Sequence, residues 1–434
     1  MPLAQSICPS VMLDSRRAAI VLGLVAWIVI GMFTRTSTDS AHEWSRLGTV
    51  ESLVERHNYF LEESKFRNTR DKIFRDGHYY SHQPPLLATL VAPVYWVIHQ
   101  TGLRLTTSAP VDYAYFLFVW FTNGVAFALL VIALQRTLLL LDVPPARATL
   151  AALLLPFGTW LFPYAVMSNN HGISAMLVTA MAFALIAIER GGSTPARARL
   201  LGGSLGLMAA FEVLPLVSFV PATAVFLWVK RRQMAARDGR HLALWFAMPL
   251  VAHAVLNIPI TGDVIPAGFH TELFNFEGTT FTAAELTGSI KHASLGAFGS
   301  YVMRALVSGK GLFTLSPILI IGLAAGVLMH GRWRGLQASR FVLLAGALLS
   351  LAAALLTTNN LGGAAVGFRH ATYVVPVFLV LTSPLLAGRT RLAAAASSVI
   401  LVLAAATAVM LWWYAVRNPW LDLHLPLPAL ASTP

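Results

Sequence analysis

The chain has 434 residues, of which 56% are hydrophobic and only 12% charged, too apolar a mixture to cover the surface of a soluble domain of that length. The formal net charge of +12 does not indicate nucleic acid, because the Lys and Arg residues fall in short clusters between apolar runs, where a positive-inside pattern puts them. The single cysteine, Cys8, excludes an internal disulfide, so stability rests on helix packing.

In chain order, Arg16 and Arg17 precede the first apolar run, residues 18–34. No small-residue cleavage site follows cleanly, which predicts an uncleaved first helix with its amino terminus in the cytoplasm. A polar stretch from about residue 35 to 110 comes next, the first outer loop, and it holds eight of the 19 acidic residues: Asp39, Glu43, Glu51, Glu55, Glu62, Glu63, Asp71 and Asp76. Between Ser40 and Arg56, Leu47, Val50, Leu53 and Val54 recur near helical spacing, which predicts a helix along the membrane surface with Asp39 at its start. Ser40 and Glu43 have the S-x-x-E spacing of a capping box, and the remaining glutamates read as a solvated face. Asp76-Gly77 is a turn signal, and Pro84-Pro85 suits a helix start, since the first amides of a helix need no partner. Pro84 to Gly102 is expected to be an interfacial or re-entrant helix, because counting it as a span would put the arginines of residues 136–147 on the outer side.

Five arginine-rich segments, at 136–147, 189–199, 230–240, 330–340 and 388–391, are the cytoplasmic candidates. Residues 200–229 lie between two of them and are too long for one crossing, which predicts a helical hairpin. Glu212 and Pro215 at its middle then reach the outer surface and avoid the bilayer centre, where a charge costs about 3 kcal/mol or more. The expected architecture is a single all-α polytopic domain over 1–434 with eleven transmembrane helices: 18–34, 112–135, 148–166, 172–188, 200–212, 214–229, 241–260, 311–329, 340–357, 371–387 and 392–415. Two further outer segments follow from this topology, 261–310 and 358–370. No internal repeat is evident.

The outer segments carry the chemistry-bearing residues. They are Thr38-Asp39, the run Thr49 to Glu55, Asp76-Gly-His-Tyr-Tyr-Ser-His-Gln-Pro-Pro85, Glu212 with Pro215, Gly309 to Pro317, and Gly362-Gly363 followed by Gly367-Phe-Arg-His370. In order and placement these resemble the GT-C superfamily of membrane glycosyltransferases, in the branch that contains protein O-mannosyltransferases and the aminoarabinose transferase of lipid A. The resemblance implies inverting transfer of a sugar from a polyprenyl-phosphate carrier to an acceptor outside the cytoplasm, with the aspartate of the first outer loop, here Asp39, as catalytic base. It further implies a multi-pass protein of a bacterial inner membrane whose active face is periplasmic or extracellular. The acceptor, whether protein, lipid or glycan, is left open. Two departures stand out: Gln83, preceded by His82, replaces the lysine that the family often places before the Pro-Pro pair, and the tryptophan and proline common around the late glycine elements are missing.

Transfer to a hydroxyl gains from a carboxylate that takes the proton as the bond forms. A phosphate leaving group needs no general acid but does need cationic donors. Arg369 is the first candidate, since a guanidinium grips two phosphate oxygens at once, and Lys310 between two glycines is the second. Glu43, His82, Gln83, Glu212, His370 and His171, the last beside Asn169 and Asn170 at an outer turn, complete the expected substrate-binding set. No nucleotide-binding loop, H-E-x-x-H, paired CxxC or Asp-x-Asp is present, in keeping with a lipid donor. His42, His57, His78 and His82 lack a zinc spacing, so the cofactor considered is at most a divalent hard cation held through Asp39, Glu43 or Glu212. The competing reading is a transporter or flippase for a lipid-linked or amphipathic substrate. The crowding of acids in one outer loop favours the enzyme over a pathway with midplane charges.

Overall fold

The computed structural model describes residues 9–107, 110–279, 292–362, 365–417 and 419. Cys8, Gly363 and residues 280–291 of the second outer segment lie outside them. The chain begins with α1 (Pro9–Phe33) and α2 (Ala41–Glu55), continues through a hairpin of β1 (Lys72–Arg75) and β2 (His78–Ser81), and then enters α3 (Pro85–Gln100). The bundle follows with α4 (Tyr113–Leu140), α5 (Pro145–Phe157), α6 (Leu161–Ala165), α7 (Asn170–Gly191), α8 (Pro195–Phe211), α9 (Val213–Lys230) and α10 (Ala236–Thr261). The last part comprises α11 (Leu295–Val307), α12 (Leu312–Leu315), α13 (Ile318–Leu328), α14 (Gln337–Thr357), α15 (Arg369–Leu386) and α16 (Arg391–Leu411).

Among the described residues seven helices are long and apolar enough to cross a membrane, or eight if a bent pair counts as one span. The chain is therefore a multi-pass membrane protein. Two of the expected spans are shorter or broken. The first lies within α1, apolar from Arg17 to Phe33, whereas the third is helical only from Pro145 to Phe157. That third helix stops where Gly158 lies against the Ala404 carbonyl, leaving 2.5 Å for a Cβ. The eighth is bent by 92° between α12 and α13, at Ser316-Pro317, because proline disfavours a helical conformation in the residue before it. The hairpin at 200–229 takes the form of α8 and α9, which meet at Glu212 in extended backbone. Side chains on the outer faces of the spans, such as Val251, Val255, Val399 and Val402, are exposed apolar groups of the kind that face lipid.

Two ends of the bundle differ in chemistry. At one, the basic segments meet: Arg190 pairs with Asp142 at 2.6 Å, Lys230 pairs with Glu189 at 2.9 Å, and Arg147 donates to the Leu386 and Gly388 carbonyls. Glu189 also accepts from the amides of Ala338 and Ser339, which neutralises the start of α14. At the other end lie α2, the strand hairpin and the start of α7, which Asn169 caps by accepting from Gly172 N at 2.8 Å.

The first outer segment differs from expectation in two respects. Ser40 makes no side-chain cap bond, so no capping box forms and Glu43 turns inward. The other glutamates of α2 are not solvated either. Glu51 accepts from Ser64 Oγ and Lys65 N, and Glu55 accepts from Tyr95 Oη at 2.6 Å. Both faces of α2 are covered, the apolar one through Leu47 and Val50 and the polar one through these bonds. Between β1 and β2, Asp76 and Gly77 take positive φ angles of 50° and 85°, the two-residue turn that matches strand twist.

α8 packs most extensively on α10, and Gly202 and Gly206 make this approach possible. A Cβ on either would collide with the Leu242 or Phe246 carbonyl, the small-residue contact that brings membrane helices together. Gly206→Leu should lower stability by about 1–3 kcal/mol or more in detergent unfolding, whereas Gly239→Ala, where a Cβ meets nothing within 4 Å, should be neutral or slightly stabilising.

Candidate active site

The site is assembled by one buried hydroxyl. Ser45 on α2 donates to the Asp71 carbonyl and shares a 2.6 Å hydrogen bond with Ser81 Oγ, which fastens α2 across both ends of the strand hairpin. The hairpin register pairs Lys72 with Ser81, so the next residues out, Asp71 and His82, stand opposite each other. Helical spacing then puts His42 and Arg46 on the same side of α2 as Ser45, toward Gln83. Tyr164 Oη donates to the Val366 carbonyl at 3.1 Å, which holds α6 against the late 365–370 segment, and Asn123 Nδ2 of α4 donates to the Asn169 carbonyl at 2.9 Å, which holds the turn before α7. Gly362, at φ +107°, leaves only 2.5 Å between an added Cβ and Arg369 Cβ, so glycine there lets the chain fold back beside the arginine.

These segments enclose a cavity of about 130 Å³ lined by Ser40, His42, Glu43, Arg46, Gln83, Tyr164, residues 167–171, Ala365, Arg369 and His370. Arg46 is 4% exposed and donates through Nη2 to Gln83 Oε1 at 3.2 Å and Asn170 Oδ1 at 3.0 Å. Burial pulls its guanidinium down to about 10, against the attraction of Glu43, Glu212 and Asp71, so it stays charged at neutral pH. The Nε atoms of both Arg46 and Arg369 are buried without a hydrogen-bond partner. Glu43 is buried and accepts from Tyr115 Oη at 2.7 Å. Burial pushes its carboxyl up to about 8, although the Thr38 and Tyr115 hydroxyls and the Arg46 charge oppose this.

On the hairpin side, His42 Nδ1 lies against Asp71 Oδ2. Gln83 Nε2 stands 3.0 Å from His42 Nδ1 and 3.2 Å from His82 Nε2. Burial pulls the His42 imidazole down to about 4, helped by the charge of Arg369 and resisted by Asp71. Burial would raise the Asp71 carboxyl, but His42, His82 and Arg369 together hold it below its ordinary value. His42, Asp71 and His82 each offer a ligand atom, all within 4.8 Å of one another, the one such group among the described residues. Asp39, Glu43 and Glu212, the acids considered for a hard cation, are not part of it.

Of the residues singled out in the sequence, Glu43, Gln83, His171, Arg369 and His370 line the cavity. Glu212 stands behind His171, with 3.0 Å between its Oε1 and His171 Nδ1, and His82 stands behind Gln83. Lys310 is close enough to Arg369 for their charges to interact but does not line the cavity. Asp39 is exposed and immediately precedes Ser40, which does line it. In the sequence Arg46 reads as one more charge on a helix face and Tyr115 as part of a span, and no spacing joins His42 to Asp71.

Because folding keeps the Glu43 proton up to about pH 8 while the ordinary value is 4.5, the folded chain binds more protons than the unfolded one between those limits. Stability from this group is complete below about 4.5 and is lost as pH rises toward 8. The unfolding temperature should therefore fall across that range, Glu43→Gln should flatten the dependence, and a protonated-carboxyl infrared band should vanish in the same variant.

No protein-family model and no curated protein matches the chain. Solved structures do. The oligosaccharyltransferase AglB from Archaeoglobus fulgidus, in complex with an inhibitory peptide and a dolichol-phosphate, matches with a TM-score of 0.50 at 13% identity over 93% of this chain and 56% of its own. A structure of the Archaeoglobus fulgidus oligosaccharyltransferase with Zn and sulfate gives 0.50, 14%, 95% and 58%. ArnT from Cupriavidus metallidurans bound to undecaprenyl phosphate gives a TM-score of 0.48 at 12% identity, over 92% and 72%. The chain thus spans little more than half the length of the archaeal enzymes it matches. The likeness to the two archaeal structures, set beside the arrangement of helices described above, shows that the chain shares their fold.

Proposed function

We propose that this protein is an inverting glycosyltransferase that moves a sugar, hexosyl or pentosyl, from a polyprenyl-phosphate carrier to an acceptor hydroxyl or amine on the outer face of a bacterial inner membrane. The observation that carries the reading is the pair of guanidinium groups of buried Arg46 and half-buried Arg369 in the wall of one cavity, each with a buried Nε that has no acceptor. Leaving a buried charged donor unpaired costs about 1–3 kcal/mol or more, and an anionic ligand removes that cost. A phosphate fits because its oxygens accept from two guanidinium groups at once. The dolichol-phosphate of the similar archaeal enzyme supports a lipid carrier for that phosphate.

In this reading the acceptor oxygen attacks the anomeric carbon as the bond to the carrier phosphate breaks. Asp39 takes the acceptor's proton, and Arg369 with Arg46 stabilises the departing phosphate anion. Asp39 suits the role as an exposed carboxylate beside the cavity-lining Ser40, reachable by an incoming acceptor, whereas Glu43, although it lines the cavity, is bonded by Tyr115 and holds its proton at neutral pH. Lys310, Gln83, His82, His171, His370 and Glu212 orient the donor and acceptor around these groups.

The test incubates purified protein with radiolabelled polyprenyl-phosphate sugars and a panel of protein, lipid and glycan acceptors. Asp39→Asn should lower kcat by about 10²–10⁴-fold, while Glu43→Gln should stay within about tenfold of wild type. The reverse pattern would move the base to Glu43. Arg369→Ala should weaken donor use by at least about tenfold, and Arg369→Lys should recover only part of the loss. Donor binding without transfer to any acceptor would instead favour a transporter.

A further inference from the structure

We propose that His42, Asp71 and His82 form a binding site for a divalent cation of the zinc type in the wall of the cavity. The argument is one of donors and acceptors. Arg46 can only donate, so the Gln83 amide must turn its oxygen toward Arg46 Nη2, 3.2 Å away. This directs Gln83 Nε2 to the two imidazoles, at 3.0 Å from His42 Nδ1 and 3.2 Å from His82 Nε2. An amide nitrogen offers only hydrogens, so both ring nitrogens present lone pairs to one point. Converging imidazole lone pairs are what a metal ion requires.

Asp71 makes the case stronger. Its Oδ2 lies against the same His42 Nδ1, is buried, and has no hydrogen-bond partner. A single ring nitrogen cannot accept from Gln83 and also donate to Asp71, so the protein's own atoms leave the cluster one partner short. A cation between the three ligand atoms, which all lie within 4.8 Å of one another, satisfies the two nitrogens and the carboxylate together, with the Gln83 amide yielding its place. The donor set is two nitrogens and one carboxylate oxygen, the composition of three-ligand zinc sites that keep a position open. The rigid base for these ligands is present as well, since Ser45 ties α2 to both ends of the hairpin.

A histidine placed between two acids behaves differently. His270 faces Glu272 with Nδ1 and Asp263 with Nε2, so its partners lie on opposite sides of the ring and share no point. Because His42 lines the cavity, a cation here would add positive charge beside Arg369 and Arg46. Its role toward a donor phosphate rests on the transfer reading above, whereas its binding does not.

The experiment uses the full chain, purified in detergent and stripped of metal with a chelator. Zn²⁺ is titrated in competition with a chromogenic chelator, stoichiometry is read by elemental analysis, and Co²⁺ is added in parallel to record its visible absorption. One ion per chain is expected, with Co²⁺ bands of nitrogen and oxygen coordination. His82→Ala and Asp71→Asn should each weaken binding by more than the roughly 10–100-fold that outer-shell changes cost. Gln83→Ala, which removes the competing amide, and His270→Ala should retain it. Monodisperse elution and an unchanged helical circular dichroism spectrum show that the variants fold. Absence of stoichiometric Zn²⁺ and Co²⁺ binding by the wild type, or binding that survives both ligand substitutions, would overturn the site. Zinc binding in a protein that transfers no sugar would uphold the site and refute the transfer reading.

Discussion

The cavity end of this molecule depends on the hydroxyl of Ser45, which bonds the Asp71 carbonyl and the Ser81 hydroxyl from a buried position on α2. That tie joins α2 to the strand hairpin together with the Arg46–Gln83 bond and the Thr69 hydroxyl, which donates to the Ala41 carbonyl. With these contacts, His42, Glu43 and Arg46 from one and Asp71, His82 and Gln83 from the other occupy a single volume. A buried hydroxyl that satisfies two partners is firmly placed, because every alternative leaves polar groups unpaired in a region that excludes water.

The same exclusion of water explains the electrostatics. Removing charges from solvent is costly, and a fold that does so must pair them or neutralise them. Glu43 is neutralised by retaining its proton. Arg46 keeps its charge, with Gln83 and Asn170 as acceptors and Glu43, Glu212 and Asp71 within electrostatic reach. Among the buried groups left without partners, the Nε atoms of Arg46 and Arg369 and the Asp71 oxygen beside His42 lie in and beside one cavity. Unsatisfied groups of this kind are expected where a ligand completes the structure.

Opposite this end, arginine and lysine side chains bond helix-end carbonyls and acids: Arg147 to Leu386 and Gly388, Arg190 to Asp142, Lys230 to Glu189. The two ends therefore use their charges for different purposes, one to close helix termini and one to line a cavity. The helices between them meet lipid with valine, leucine and isoleucine and meet one another through small residues such as Gly202 and Gly206.

The apolar runs, the arginine clusters and the turn residues were legible in the sequence, since hydropathy, charge clustering and turn geometry act over a few residues. From them follow the helical membrane fold, the separation of the two ends, the break at Glu212 and the turn at Asp76-Gly77. Arg369 and Gln83 could be named for their chemistry. The company each side chain keeps could not. That Glu43 turns to Tyr115 instead of capping α2, that Glu51 is buried and Glu55 is bonded to Tyr95 rather than solvated, and that His42, Asp71 and His82 meet across 40 residues of chain were decided by tertiary structure alone. The register of a short hairpin and its docking on α2 set those distances, and neither leaves a periodic trace in the residues it brings together.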